Sequence, residues 1–500
     1  MNKKLSYQPQ IEDSLANENP VQELLERPRK KGKILLLIPS QSHLYGKTIL
    51  PPYPHLGVLW VAALLEKAGH TISIIDIDLE KKPLSLLLES IKKNSFDIIG
   101  LTASTPTYPQ AYKLAKNIKK ISEKIPIVLG GIHATISPFT CARDRVFDFI
   151  IVGEGECTML ELTDYLLNKN QELSKIKGLV YKDKNQQIQI TASRPLIKNL
   201  DWYPLPSRHL IPNIHKYAPP YASRFPVFSL MASRGCPGTC TYCQTKNIFG
   251  KIVRFCTPEN VVKEIRELVT KYKAQEIHFL DDVLTINKDF IYEFCALLKK
   301  EPYQIDLKVA NGLRIDMVNE KILTALHEVG LKNASFGVET GSERVSTLIK
   351  KKLNKQQIKE TFALAKKIGL ETWGFFMIGL LGDNEKSIRE TINFAIELDP
   401  KFAKFLILTP YPGSEIYEEL DKKNLIDIKD FSQYGIYTAP VHHLEELSRK
   451  EILKLKKMAF RRFYLRPKKI FQYLKDIKSL KQLFSLIRGF IFILSQIIKK

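Results

Sequence analysis

The first 32 residues contain no apolar stretch of the kind a secretory signal needs, so export is not expected and the cytoplasm is. Seven cysteines are too few and too scattered for a disulfide framework. Cys141, Cys157, Cys256 and Cys295 stand at unrelated spacings, which points to a reducing compartment. Acidic residues are also short, with 53 Asp and Glu against 76 Lys and Arg and a net charge of +23. Near the C-terminus the apolar residues fall short of the roughly 20 that a membrane span requires. What remains is an ordinary folded composition, 44% hydrophobic and 26% charged, in a chain of 500 residues. That length holds two or three domains with sizeable cores.

Residues 1–32 are polar and read as a disordered lead-in. From 33 to 172, five apolar runs of strand length alternate with amphipathic helices, beginning with Lys33–Pro39 and ending with Phe147–Glu156. That alternation predicts a doubly wound parallel sheet, which binds ligands beyond the carboxyl ends of its strands. Two glycine turns fall at that edge, Gly130-Gly131-Ile132-His133 and Gly153-Glu154-Gly155-Glu156. Such turns let a ligand approach the backbone closely, although strand-to-helix turns also use glycine simply to turn. Residues 173–226 read as a hairpin followed by a proline-rich linker. From 227 to 446 strands and helices alternate six times, predicting a partial (β/α)6 barrel. Its polar residues at strand ends are Asp281, Asp282, Asn311, Arg314 and Glu339. A carboxylate there also caps the following helix, so Asp281 and Asp282 keep that second reading.

Residues 447–500 carry sixteen Lys and Arg against two acids, a net +14. Two readings of this basic helical tail stand side by side: an amphipathic helix at an anionic membrane surface, or a helix packed on the barrel.

The chain's most informative stretch is Ser233–Gln244, SRGCPGTCTYCQ. Cys236, Cys240 and Cys243 fall in a C-x3-C-x2-C spacing that turns three thiolates toward one point. A structural zinc site wants a fourth ligand, and none lies nearby at a usual spacing. A [4Fe–4S] cluster held by three thiolates keeps one iron free for chemistry. With Tyr242 as the aromatic before the last cysteine, the loop resembles the signature of the radical S-adenosylmethionine (SAM) enzymes. In front of it, GGIHAT and VGEGE resemble the Rossmann-like cobalamin (B12)-binding domain found in one branch of that family, which places it ahead of a TIM-type barrel.

The resemblance covers about 33–444 and implies the rest. Cys236, Cys240 and Cys243 would hold the [4Fe–4S] cluster. Tyr242, Asp281, Asp282, Asn311, Arg314 and Glu339 would bind SAM, with Gly379–Gly382 near its adenine. Gly130, Gly131, His133, Gly153, Glu154 and Gly155 would line the cobalamin pocket. Relatives that ligate cobalt from below use Asp-x-His-x-x-Gly after the first strand, whereas this chain has Gln41-Ser42-His43-Leu44-Tyr45-Gly46. Without the acid, His43 is expected not to ligate. The implied reaction is reductive cleavage of SAM to a 5′-deoxyadenosyl radical, with cobalamin relaying a methyl group to an unactivated carbon of a small-molecule or lipid-like substrate. The alternatives are an oxidative cyclase of the magnesium-protoporphyrin monomethyl ester type and a non-catalytic corrinoid- or lipid-binding module. An electron donor such as flavodoxin or ferredoxin is implied, and no nucleic acid is expected. The location is cytoplasmic, peripheral at the inner face of the membrane if the tail binds there.

Overall fold

The structure is a computed structural model and describes residues 14–45, 51–80, 84–169, 172–219, 221–351, 354–435 and 438–475. Strands β1 (Lys33–Ile38), β2 (Thr71–Asp76), β3 (Ile98–Thr102), β4 (Ile127–Gly130) and β5 (Phe149–Ile151) lie parallel in the order β2-β1-β3-β4-β5. The residues of β1 show why the sheet is covered on both faces. Ile34, Leu36 and Ile38 enter one core with Leu59, Trp60 and Leu160, while Leu35 and Leu37 enter another with Ala111, Leu114 and Ile118. Strands β6 (Leu179–Lys182) and β7 (Ile188–Ile190) then add antiparallel to β5. The hairpin expected to begin the linker therefore completes the sheet.

The lead-in also departs from expectation. Pro20–Glu26 forms a helix capped by Asn19, and Val21 and Leu24 are buried in the first core. Residues 1–13 lie outside the described residues. The proline-rich linker is held at several points: the Arg208 guanidinium is buried against Glu264 and the Ser229 carbonyl, and the Tyr217 hydroxyl donates to Asp76 at 2.6 Å.

The second unit contains β8 (Val227–Leu230), a short antiparallel pair β9 (Ser233–Arg234) and β10 (Arg254–Phe255), then β11 (Glu276–Phe279), β12 (Asp306–Val309), β13 (Asn333–Glu339), β14 (Glu371–Ile378) and β15 (Phe402–Ile407). Its parallel strands form two sheets, β8-β11-β12 and β13-β14-β15. Bridges from Leu307 to Leu331 and from Leu313 to Phe336 join β12 to β13. Six strands thus curve into a partial barrel, with β8 and β15 as its two ends. The apolar core that covers one face of the first sheet runs on without a break into this barrel.

The barrel extends past the expected boundary at 446. Arg449–Tyr464 forms a helix whose N-terminus is closed by a Ser448–Glu451 capping box. Ile452, Leu455, Ala459, Phe460 and Phe463 are buried, and the Tyr464 hydroxyl bonds to both the N–H and the carbonyl of Ala403. In this half of the tail the packed reading holds, because the apolar residues form one stripe along the helix and, Lys456 apart, the basic residues lie off it. A last helix, Pro467–Lys475, is anchored by Lys469, whose ammonium donates to the Pro400 carbonyl and pairs with Asp399 at 3.0 Å. Phe471 and Leu474 on the same helix are 70% and 60% exposed. Most of the apolar stretch proposed for the membrane, 476–498, lies outside the described residues. Among the described residues no helix is long and apolar enough to cross a membrane.

Candidate active site

The cysteine loop leaves the barrel at the end of β8 and is shaped before its first cysteine. Asp281, at the end of β11, is fully buried and accepts from the Ala232 amide at 3.1 Å and the Ser233 hydroxyl at 2.6 Å. Burial pushes this carboxyl up to about 7. Gly235 follows at φ +101°, and a Cβ there would sit 2.2 Å from the Ile252 carbonyl oxygen, so only glycine fits the turn. Further on, Gln244 donates to the Pro412 carbonyl and Asn247 to the Gly413 carbonyl. The Tyr411-Pro412-Gly413 turn after β15 thus pins the far side of the loop.

Within the loop the three thiols face a common space. A Cβ on Gly238 would lie 3.2 Å from Cys236 Sγ and 4.0 Å from Cys240 Sγ. Cys243 donates to the Thr245 hydroxyl at 3.3 Å, and that hydroxyl donates to Asp282 at 3.3 Å. Burial raises the Cys236 and Cys243 thiols, and Asp282 adds to both shifts. Burial also pushes Asp282 up to about 6. All seven cysteines are free thiols. Among the described residues no three His, Cys, Asp or Glu side chains are grouped so that they could hold a metal ion as they stand. Three thiols on one open loop nevertheless suit an iron–sulfur cluster, which would displace their protons on binding.

The residues expected around SAM separate into two groups. Tyr242, Arg314 and Glu339 gather beside the cysteines. Glu339 ends β13 at φ +65°, where the β13–β14 register shifts between Gly337 and Glu339. This left-handed turn sets its carboxylate 3.1 Å from Lys351, whose ammonium is 3.5 Å from the Tyr242 hydroxyl. Arg314 grips Asp316 through two bonds of 3.0 and 2.6 Å, and its Nη1 lies 3.2 Å from the Cβ position of Gly238. Asp281 and Asn311 are used otherwise. Asp281 positions the strand before the loop, and the Asn311 amide donates to the Leu280 carbonyl. Gly379 and Leu380 donate to Asp383, which also accepts from the Ser387 hydroxyl in the first turn of the next helix, so this turn is closed on itself. Lys351 was not predicted. It sits in Lys350-Lys351-Lys352, a run that reads as solvated surface, and only the turn after the helix Glu343–Leu348 brings it inside.

At the edge of the first sheet, Gly130 and Gly153 border open space: a Cβ on Gly153 would meet nothing within 4 Å, and one on Gly130 only Ile151 at 4.0 Å. His133 is fully buried against Tyr108 and Phe431, with Nδ1 3.2 Å from the Thr105 hydroxyl and Nε2 without a partner. Burial lowers its pKa to about 4, so the ring is neutral at pH 7. Open glycines and an orphaned buried nitrogen suit a bulky polar ligand such as a corrinoid. His43 Nε2 donates to the Pro106 carbonyl at 2.9 Å. A Cβ on Gly131 would collide with Thr102 and Ala103, and one on Gly155 would lie 3.3 Å from Ile151, while the Gly131 backbone itself is exposed at the sheet edge.

Glu154, expected among the cobalamin contacts, is engaged by two arginines. It pairs with Arg254 at 2.7 Å and with Arg234 at 3.3 Å, while Glu156 takes Arg234 at 2.7 Å. Burial would raise the Glu154 carboxyl, but the two guanidiniums outweigh it and hold the group below its ordinary value. Arg234 also lies over the Trp60 ring at 4.5 Å. This quartet joins the end of β5 to the strand pair on either side of the cysteine loop. The Ile136 side chain, from the helix after β4, touches the Gly413 turn that pins the same loop.

Comparison with known proteins gives two family matches, the Radical SAM superfamily over residues 230–395 and the B12 binding domain over 42–163. An uncharacterized methyltransferase of Pyrococcus horikoshii is 36% identical over 449 residues, 90% of this chain and 95% of that one. The anaerobic magnesium-protoporphyrin IX monomethyl ester cyclase of Rubrivivax gelatinosus is 28% identical, with 91% and 82% covered. The cytidylyl-2-hydroxyethylphosphonate methyltransferase of Streptomyces wedmorensis is 26% identical, with 80% and 83% covered. Among solved structures, the fold matches the cobalamin-dependent SAM radical enzyme OxsB (TM-score 0.66, 17% identity, 89% of this chain and 66% of that chain). It also matches the radical SAM methyltransferase TsrM from Kitasatospora setae (0.67, 15%, 79% and 75%).

Removing one member of the quartet leaves a buried charge uncompensated. Glu154→Ala should therefore lower the unfolding free energy of the cobalamin-free protein by about 3–5 kcal/mol, read by urea titration. A residue whose role was only to touch cobalamin would show no such loss.

Proposed function

The chain belongs to the cobalamin-binding radical SAM enzymes, and from that membership we propose that it methylates an unactivated carbon of a small-molecule or lipid-like substrate. The observation that supports this reading most is the junction itself: a three-thiol loop at the barrel mouth, tied by Arg234 to the glycine edge of the sheet domain. When bound, the cluster supplies the electron that cleaves SAM and the corrinoid carries the methyl group.

The chain's own residues hold, orient and enclose. Cys236, Cys240 and Cys243 hold the cluster as thiolates. Tyr242 and the Glu339–Lys351 pair bind SAM beside it, Glu339 accepting from the ribose hydroxyls or the methionine ammonium. Arg314, fixed in plane by Asp316, presents its remaining N–H groups to the methionine carboxylate. Asp282 stays within the site through Thr245. Gly130, Gly153 and His133 would line the corrinoid's place, and the His43 ring is already bonded to the Pro106 carbonyl. The electron comes from a small carrier such as flavodoxin or ferredoxin. The similarity to the magnesium-protoporphyrin cyclase supports the second reading, oxidative ring closure on the same residues.

We assign the tail beyond 475 to an anionic membrane surface at the inner face of the membrane. Phe471 and Leu474, exposed on the last described helix, continue into an apolar and basic sequence. Each basic residue contributes on the order of 1 kcal/mol at such a surface.

Two outcomes follow. After anaerobic reconstitution, alanine at any one of Cys236, Cys240 or Cys243 should abolish both the iron–sulfur absorbance and 5′-deoxyadenosine formation, whereas alanine at Cys141, Cys157, Cys256 or Cys295 should leave both. Cleavage of SAM by a triple Cys236/Cys240/Cys243 alanine variant would refute the assignment. Deleting 476–500 should release the protein from phosphatidylserine-containing liposomes, and raised salt should weaken binding of the full chain. Equal sedimentation of the two proteins would remove the membrane from the account.

A further inference from the structure

Lys404 lies in the middle of β15, and its neighbours along the strand show which way it points. Ala403 and Phe405 turn outward to the helix Arg449–Tyr464, where Phe405 meets Phe460 and Phe463 and Ala403 is bonded by Tyr464. Alternate residues of a strand face opposite ways, so Lys404 and Leu406 face the barrel's interior. On β14 the outward Phe376 stacks on Phe405, which turns Trp373, Phe375 and Met377 inward. Cross-strand register puts Lys404 beside Phe375 and Phe375 beside Gly337. Gly337 adjoins both Glu339 and Lys351. Lys404 therefore stands two strands, about 10 Å, from the pair assigned to SAM.

Three rings surround its ammonium. Nζ is 4.5 Å from the centroid of Tyr221, 4.6 Å from Phe375 and 5.1 Å from Trp373. Tyr221 crosses the interior from the linker, stacked on His278 of β11 and edge-on to Trp373 of β14. Ring faces attract an ammonium but do not replace oxygen acceptors for its three donors. Among the described residues Lys404 has no hydrogen-bond or ion-pair partner. The nearby charges are already matched, since Glu276 takes Lys308 at 2.9 Å and His278 at 2.6 Å, and the other His278 nitrogen bonds to Tyr53. Burial lowers the Lys404 pKa to about 8, which leaves most of the charge present at pH 7. The residue is half-buried, so its ammonium keeps access to the lumen, and a methionine would fill the same place without a partly desolvated charge. The Trp373 indole N–H, in the same wall, is also buried without an acceptor. The buried indole N–H and the partly exposed ammonium stand in one wall with no acceptor among the described residues, and a single oxygen-bearing group entering the lumen would serve both.

We propose that the methyl acceptor carries an anionic head, a carboxylate or a phosphate, received by Lys404 and the Trp373 N–H, with its apolar body along Phe375 and Met377 toward Glu339 and Lys351. This rests on the function proposed above and names the substrate's chemistry.

The test uses the full chain carrying its cluster and cobalamin, titrated calorimetrically at pH 7 with 2-naphthoate, 2-naphthyl phosphate and the neutral 2-naphthalenemethanol. One or both anions should bind about tenfold or more tightly than the alcohol, as expected for a hydrogen-bonded charge, and the stronger anion identifies the head. Lys404→Met should erase that preference, Lys404→Arg should keep most of it, and Trp373→Phe should lose part of it. The melting temperature of the Lys404→Met protein should stay level or rise. A preference that survives Lys404→Met, equal binding of all three probes, or binding of none would overturn the proposal. So would a fall in melting temperature, which would make Lys404 a pillar of the aromatic cluster. Substrate-free SAM cleavage by the wild type is measured alongside; its absence would unseat the proposed function while leaving the anion preference as a separate result.

Discussion

Four buried charges, Glu154, Glu156, Arg234 and Arg254, hold the two halves of this protein in register. Their side chains are only 1% to 5% exposed, so each charge has lost its hydration and depends on the others. Such a set is stable only when complete, because an unpaired member inside protein costs several kcal/mol. Completeness here requires that the end of β5 meet the β9–β10 pair in one arrangement. Arg234 lies two residues before Cys236, so that arrangement also fixes the approach to the cysteine loop. The apolar core shared by sheet and barrel supplies the bulk of the adhesion, which has no direction of its own. The quartet supplies the direction. A reaction that passes a methyl group between two cofactors needs that fixed relation.

At the barrel mouth the backbone itself is bent to the task. Glu339 occupies a left-handed conformation that is uncommon for a residue with a side chain, at a break in strand register. Such conformations persist where surrounding structure enforces them, and they concentrate at functional sites. Here the result is a carboxylate turned beside Lys351 and Tyr242, next to the cysteine loop. Arg314 shows the same economy of motion, with its guanidinium plane set by Asp316 so that only its outer edge faces the loop. Further into the lumen the matched group around Glu276 contrasts with the unmatched Lys404. Among the described residues the ion pairs around Glu276 are matched, while Lys404 has no acceptor.

Much of this was legible beforehand. The alternation of strand and helix gave the sheet, its glycine edge and the six-stranded barrel, because both faces of a parallel sheet must be covered and the apolar runs record it. The cysteine spacing located the loop directly. What escaped notice depended on contacts distant in the chain. Glu154 and Glu156 sit in a glycine-rich turn that reads as a ligand edge, and their arginine partners are 78 to 100 residues away. Lys351 lies in a lysine run that looks solvated. Lys404 lies in a strand whose period-two pattern predicts an inward position, yet a lone lysine there reads as an edge charge until Tyr221 and Trp373 are seen to close around it. The helix Pro20–Glu26 was lost among polar neighbours because only Val21 and Leu24 are buried. The helix Arg449–Tyr464 hid its apolar stripe beneath its basic content.

The central claim is that this architecture transfers a methyl group, and isotope tracing tests it most directly. Cells expressing the protein are fed methionine bearing a trideuteromethyl group, and their small molecules and lipids are compared by mass spectrometry with those of cells expressing the Cys236→Ala protein. The account predicts a product that appears only with the intact cysteine loop and retains the trideuteromethyl group. A loop-dependent product that has lost hydrogen and gained no label would contradict methyl transfer and favour ring closure.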